Sequence, residues 1–124
     1  MSFIGTAEDI RNYNVLDKLE LIEFNKENIK KLNYESGVYF LFDKNKQLLY
    51  IGKTVSFKQR LRQHLSCKDV QSKSFIEQVH WFAFVTHQLL PQYLSVGQYE
   101  YRIIRRLKPA MNSETLIHKA LYGY

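Results

Sequence analysis

At 124 residues, with 45% hydrophobic and 15% aromatic side chains, the chain is long enough for one domain with a real core and too apolar for intrinsic disorder. Its formal net charge of +6 favours a polyanionic partner, of which nucleic acid is the commonest. A single cysteine, Cys67, excludes an intrachain disulfide, no apolar run approaches the ~18 residues of a membrane helix, and Met1-Ser2-Phe3-Ile4-Gly5 lacks the blocks of a signal peptide, so a cytoplasmic protein without a membrane partner is expected.

Residues 6–24 read as helical. Thr6 is a suitable N-cap, Glu8 and Asp9 suit the first turn, and Ile10, Tyr13, Leu16 and Leu19 recur at three-residue steps. Asn12-Tyr13-Asn14 weakens the middle, so two short helices are the alternative. Residues 25–36 are polar and basic and read as a connection. The division expected is a helical N-terminal extension over 1–33 and a functional domain over 34–124.

From Gly37 the pattern changes. Val38-Tyr39-Phe40-Leu41-Phe42 and Leu48-Leu49-Tyr50-Ile51 are apolar runs rich in β-formers, and the lack of polar alternation predicts strands covered on both faces. A two-residue turn at Lys44-Asn45 would set Asp43 opposite Lys46 and Tyr39 opposite Tyr50, bringing two phenols to one sheet face. A one-residue slip would separate them. Ser56-x-x-Gln59 has the pattern of a capping box, and Phe57, Leu61 and Leu65 form the stripe of the helix it starts. Arg60 and His64, four residues apart, share a neighbouring face. Val79–Val85 reads as a third buried strand. Ser95-x-x-Gln98 opens a second helix, whose apolar stripe of Val96, Ile103, Ile104 and Leu107 includes a carboxylate, Glu100. A carboxylate there is costly without a partner. Pro109 ends that helix, and Asn112-Ser113 are placed to cap a last short one.

These residues suit one chemistry. Hydrolysing a phosphodiester takes an activated water, neutralisation of the charge growing on the phosphorane and help for the leaving oxygen. A phenol is a poor base near its usual pKa of ~10 but becomes a plausible one beside a cation, for which Lys53 and Arg60 are the candidates. Arg60 can also grip two phosphate oxygens. Glu100 alone suffices to hold Mg²⁺, which keeps water and phosphate in most of its shell. Asn112, just past the Glu100 helix, is placed to orient a shell water or to fix backbone. Singly, each is more often a core or surface residue. His80, His87 and His118 have no ligand spacing and read as core or surface, and Lys58 and Arg62 as solvated charges available for phosphate contacts.

In these residues the chain resembles the GIY-YIG endonucleases. Gly37-Val38-Tyr39 matches the first half of the family's name, with valine for isoleucine, and Tyr50-Ile51-Gly52 matches the second half unchanged. Arg60, His64, Glu100 and Pro109-Ala110-Met111-Asn112 match the family's arginine, helical histidine, metal-binding glutamate and terminal Pro-x-x-Asn, and Lys53 falls where many members have lysine. The resemblance spans roughly residues 34–113. It implies an α/β sandwich, a three-stranded antiparallel sheet flanked by helices. It also implies metal-dependent cleavage of nucleic acid, with Mg²⁺ (or Mn²⁺) on Glu100 and a motif tyrosine, helped by a basic group, deprotonating the water. Tyr39 is then the base and Tyr50 the positioner, or the two exchange. The expected catalytic set is Tyr39, Tyr50, Lys53, Arg60, His64, Glu100 and Asn112, acting on DNA, with RNA as the alternative. The competing reading is a nucleic-acid binding module on the same fold that no longer cuts.

Overall fold

The computed structural model describes residues 3–33, 35–66 and 75–111. Its elements run α1 (Ala7–Arg11), β1 (Ile22–Glu23), α2 (Lys26–Lys30), β2 (Gly37–Phe42), β3 (Leu48–Thr54), α3 (Phe57–Leu65), β4 (Trp81–Thr86) and α4 (Val96–Leu107), with short 3-10 turns at Leu16–Lys18 and His87–Leu89. The strands form one antiparallel sheet in the order β1-β4-β2-β3.

The sheet has four strands rather than the expected three. The addition is β1, which pairs Ile22 with Phe82 and Glu23 with Trp81 at the β4 edge. Two residues are too few to show a period-two pattern, so the sequence hid it. The helix expected over 6–24 is correspondingly short. Thr6 caps α1 in a full capping box with Asp9, but the chain leaves the helix at Asn12 and Tyr13 takes a left-handed φ of 59°. Asn25 then caps α2 within the stretch that reads as a connection. The extension is thus helical in part and carries a strand.

Central strand β2 is buried at every position, as its unbroken apolar run predicts. Its alternate residues feed two cores. Val38, Phe40 and Phe42 pack with Ile51, Val85, Tyr99 and Ile103 on the α4 side, joined by Phe3, Ile10 and Val15. Tyr39 and Leu41 pack with Tyr50, Phe57, Leu61 and Phe82 on the α3 side.

The hairpin differs from the two-residue turn. Asp43 accepts from the backbone N–H groups of Asn45 and Gln47 at 2.9 Å each, and Lys46 takes a left-handed φ of 64°. The loop is therefore three residues long, with Asp43 bonded to Gln47. A bulge then shifts the ladder again: Phe42 faces Leu48 but Leu41 faces Tyr50. Tyr39 consequently pairs with Gly52 instead of Tyr50. Because side chains alternate with period two, two successive one-residue shifts restore the facing, and both phenols still reach the α3 side.

Candidate active site

Tyr39 lies across its cross-strand partner. A β-carbon at Gly52 would stand 2.5 Å from both Cζ and Oη of Tyr39, so only glycine leaves the phenol its place. Gly37, with φ +154°, is constrained in another way: a β-carbon there would strike the Val85 carbonyl and the Phe57 ring. The two motif glycines therefore set the path of β2 and the seat of its tyrosine.

Around that seat three rings converge. The Tyr39 and Tyr50 centroids are 5.9 Å apart, and His64 lies 5.8 Å from the first and 6.5 Å from the second. His64 Nε2 is 3.0 Å from Tyr39 Oη, a buried hydrogen bond. All three residues are nearly inaccessible: Tyr39 is 0% exposed, Tyr50 4% and His64 4%. Burial pushes the His64 pKa down to about 3, with the Arg60 guanidinium adding to the effect, so the ring is neutral at physiological pH. A neutral imidazole carries one N–H and one lone pair, so Nε2 either donates to the phenol oxygen or accepts from it. Half-buried Arg60 donates from Nη1 to Gln63 at 3.5 Å.

Helix α3 holds His64 and Arg60 through its N-terminus. Ser56 accepts from the Gln59 N–H, but Gln59 does not complete the box. The Ser56 N–H is already bonded to the Thr54 hydroxyl at 3.1 Å, which also donates to the Ser56 carbonyl. Thr54 thereby couples the end of β3 to the start of α3.

Glu100 approaches from the other side of the sheet. It is half-buried on α4, one residue beyond the fully buried Tyr99. Burial raises its pKa, while the Lys53 ammonium and a hydrogen bond from the Lys53 backbone N–H pull it back down. The Lys53 ammonium lies over the first turn of α4, 3.0 Å from where a β-carbon of Gly97 would stand. The expected residues thus form two groups: Tyr39, Tyr50 and His64 with Arg60 on the α3 face, and Glu100 with Lys53 on the α4 side. They meet at Gly52-Lys53 on edge strand β3, where one residue seats the phenol and the next binds the carboxyl. Asn112 lies outside the described residues. The preceding Met111 N–H donates to the Leu49 carbonyl at 2.7 Å, so the chain leading to it docks along β3.

Tyr99 escaped the sequence reading. Its hydroxyl donates to the Ile10 carbonyl at 2.7 Å, tying the Glu100 helix to α1, and burial together with neighbouring Tyr13 keeps the phenol protonated well above its usual range. The signal available was its position, four residues before Ile103 on the stripe side of the helix.

This fold and motif set are those of a known class. The family model of the GIY-YIG catalytic domain matches residues 35–114, and the chain belongs to the GIY-YIG endonuclease family. Among curated relatives it is similar to the UvrABC system protein C of Clostridioides difficile, 33% identical over 90 residues, and to that of Helicobacter pylori strain Shi470, 34% identical over 91 residues. These alignments cover 70% and 68% of the chain but only 14% and 15% of the relatives, so the chain spans about one seventh of their length. Among solved structures it is similar to the GIY-YIG N-terminal endonuclease domain of UvrC from Thermotoga maritima bound to magnesium, its catalytic divalent cation. That match has a TM-score of 0.56 at 24% identity and covers 72% of this chain and all of that one. A tyrosine-to-phenylalanine mutant of the same domain gives a TM-score of 0.58 at 22% identity, covering 71% of this chain and 93% of that one. These likenesses establish a shared fold. No helix among the described residues is long and apolar enough to cross a membrane.

Proposed function

We propose that the chain hydrolyses DNA phosphodiesters with the help of one divalent cation, using residues 34–124 as the nuclease unit, residues 1–33 as its extension and the cytoplasm as its workplace. The observation that carries this reading is the meeting of the Tyr39–His64 hydrogen bond and the Glu100–Lys53 pair at neighbouring residues of one edge strand.

Tyr39 is the general base in this reading. The neutral His64 ring, with its proton on Nε2, donates to Tyr39 Oη and favours phenolate, and the Arg60 guanidinium acts in the same direction. Tyr50 orients the water from the adjacent ring position. Because both tyrosines are buried, the water they address is one enclosed with the substrate, where their hydrogen bonds are strongest. Arg60 grips the phosphate oxygens on which charge accumulates.

Glu100 is the residue that would hold Mg²⁺, with Mn²⁺ as the alternative, and Asn112 would orient a shell water beside it. The donor set fits: a half-buried carboxyl raised by burial gains from a cation, and Mg²⁺ needs only one or two carboxylates. The described residues hold no group of three or more His, Cys, Asp or Glu side chains that would suit a metal with a full protein shell. When bound, the cation supplies Lewis-acid polarisation of a phosphoryl oxygen. Lys53 keeps the Glu100 carboxyl oriented through its backbone N–H.

The test is nicking of supercoiled plasmid in Mg²⁺ and in EDTA, alongside a gel-shift measurement of DNA binding. Cleavage that needs the metal and is lost in Glu100→Ala, with binding retained, supports the nuclease. Binding without cleavage of single-stranded, double-stranded, branched or damaged DNA, or of RNA, would establish the non-cutting module instead.

A further inference from the structure

On the flank of α3 away from the rings lies a groove that the catalytic reading does not use. It separates α2 from α3, encloses about 270 Å³ and is lined by Lys26, Ile29, Lys30, Lys58, Arg62 and Leu65. Lys26 and Lys30 stand one turn apart on α2, as do Lys58 and Arg62 on α3. Two pairs of cations therefore face each other over an apolar floor, and among the described residues no carboxylate lines the groove. Ile29 and Leu65 offer that floor to aliphatic stems, an arrangement in which long cationic side chains can keep their heads toward a polar partner.

The groove continues toward the site. Helix α3 contains three cations, Lys58, Arg60 and Arg62, and no acidic residue. At 100° per residue, Arg60 and His64 fall on one side of the buried Phe57–Leu61 stripe, and Lys58 and Arg62 on the other. Between these flanks, Gln59, Arg62, Gln63 and Ser66 line an open depression of about 370 Å³ on the outer face of the helix. A helix is ~10–12 Å across, about three base-pair rises of duplex, so one bound backbone can span from groove to site. Half of the groove lies outside the family-matched region, since Lys26, Ile29 and Lys30 precede residues 35–114.

We propose that the α2–α3 groove carries the phosphate backbone of the DNA cut at the tyrosine cluster, an inference that rests on the nuclease reading above. The extension thereby contributes to substrate binding, and Lys26 and Lys30 neutralise phosphates a few base pairs from the scissile bond.

The experiment measures affinity for a short DNA duplex in EDTA as a function of salt, for the full chain and two charge-matched double variants. Each neutralised phosphate contributes about 0.9 to the slope of log K against log salt. Lys26→Gln/Lys30→Gln is expected to weaken binding and to lower that slope by about 2. Arg11→Gln/Lys44→Gln, which removes the same charge from exposed positions elsewhere, is expected to leave the slope unchanged. Equal losses in both variants would reduce the effect to net charge and overturn the proposal. A wild-type slope in the groove variant of a chain that binds and cuts would overturn it alone, whereas a wild-type chain that neither binds nor cuts DNA would remove the nuclease reading with it.

Discussion

Replacing His64 by glutamine should make the fold markedly less sensitive to acid. His64 is buried against Tyr39, and its folded pKa of about 3 lies well below the 6.5 of an exposed imidazole. As pH falls below 6.5 the unfolded chain takes up the proton first. The stability held by the neutral ring is therefore complete above that value and is lost between pH 6.5 and 3. Each pH unit in that window costs about 1.4 kcal/mol, so moving from pH 7 to pH 5 removes about 2 kcal/mol, a large share of a small domain's total. Glutamine can still hydrogen-bond Tyr39 but does not titrate. The assay is urea unfolding of both proteins at pH 7 and pH 5. Any cost of the substitution itself appears at both pH values and drops out of the difference. Asp9, whose carboxyl is held low by the Thr6 backbone and hydroxyl, is present in both proteins and cancels as well. Wild type should lose about 2 kcal/mol more than His64→Gln. Equal losses would mean that the native ring is solvated or already charged, and the buried Tyr39–His64 contact would have to be abandoned.

Three further outcomes follow from the same geometry. Tyr39→Phe should retain the fold at a cost of about 1–3 kcal/mol, because it takes the phenol from the buried His64 Nε2, and abolish plasmid nicking; full activity would hand the base role to Tyr50 or His64. Gly52→Ala places a methyl group where the Tyr39 phenol lies, so it should destabilise by about 1–3 kcal/mol in urea unfolding and suppress nicking together with it. Tyr99→Phe removes the hydroxyl bond to the Ile10 carbonyl, which keeps the Tyr13 N–H as donor, and should cost about 0.5–1.5 kcal/mol, read by the same unfolding assay, with an unchanged unfolding midpoint ruling out the α1–α4 tie.

The apolar runs around Tyr39 and Tyr50 were legible because each is long enough to show strand composition, and Ser95-x-x-Gln98 because it closes into a full capping box within one turn. The pairing of the phenols was right in facing and wrong in partner. Turn length and bulge position depend on local backbone choices, such as the left-handed Lys46, that side-chain type constrains weakly. Strand β1 stayed hidden because its formation depends on β4, which lies far along the chain. Similarly, Ser56-x-x-Gln59 looks complete in sequence, yet Thr54, outside the pattern, takes the bond that Gln59 would have made. The Glu100 carboxyl on an apolar stripe reads as needing a partner, and that partner is Lys53, through its ammonium first and then through its backbone N–H, the second of which carries no residue signature.

The way β3 is finished has a consequence for solubility. As the outermost strand it would present a row of open amide and carbonyl groups, the surface on which a second molecule adds a strand and aggregates. Instead, Ala110 and Met111 occupy the carbonyls of Leu48 and Leu49, and Glu100 takes the amide of Lys53. At the opposite margin β1 offers only two residues. The protein thus guards its sheet against self-association with the segment that follows α4 and with a side-chain carboxylate.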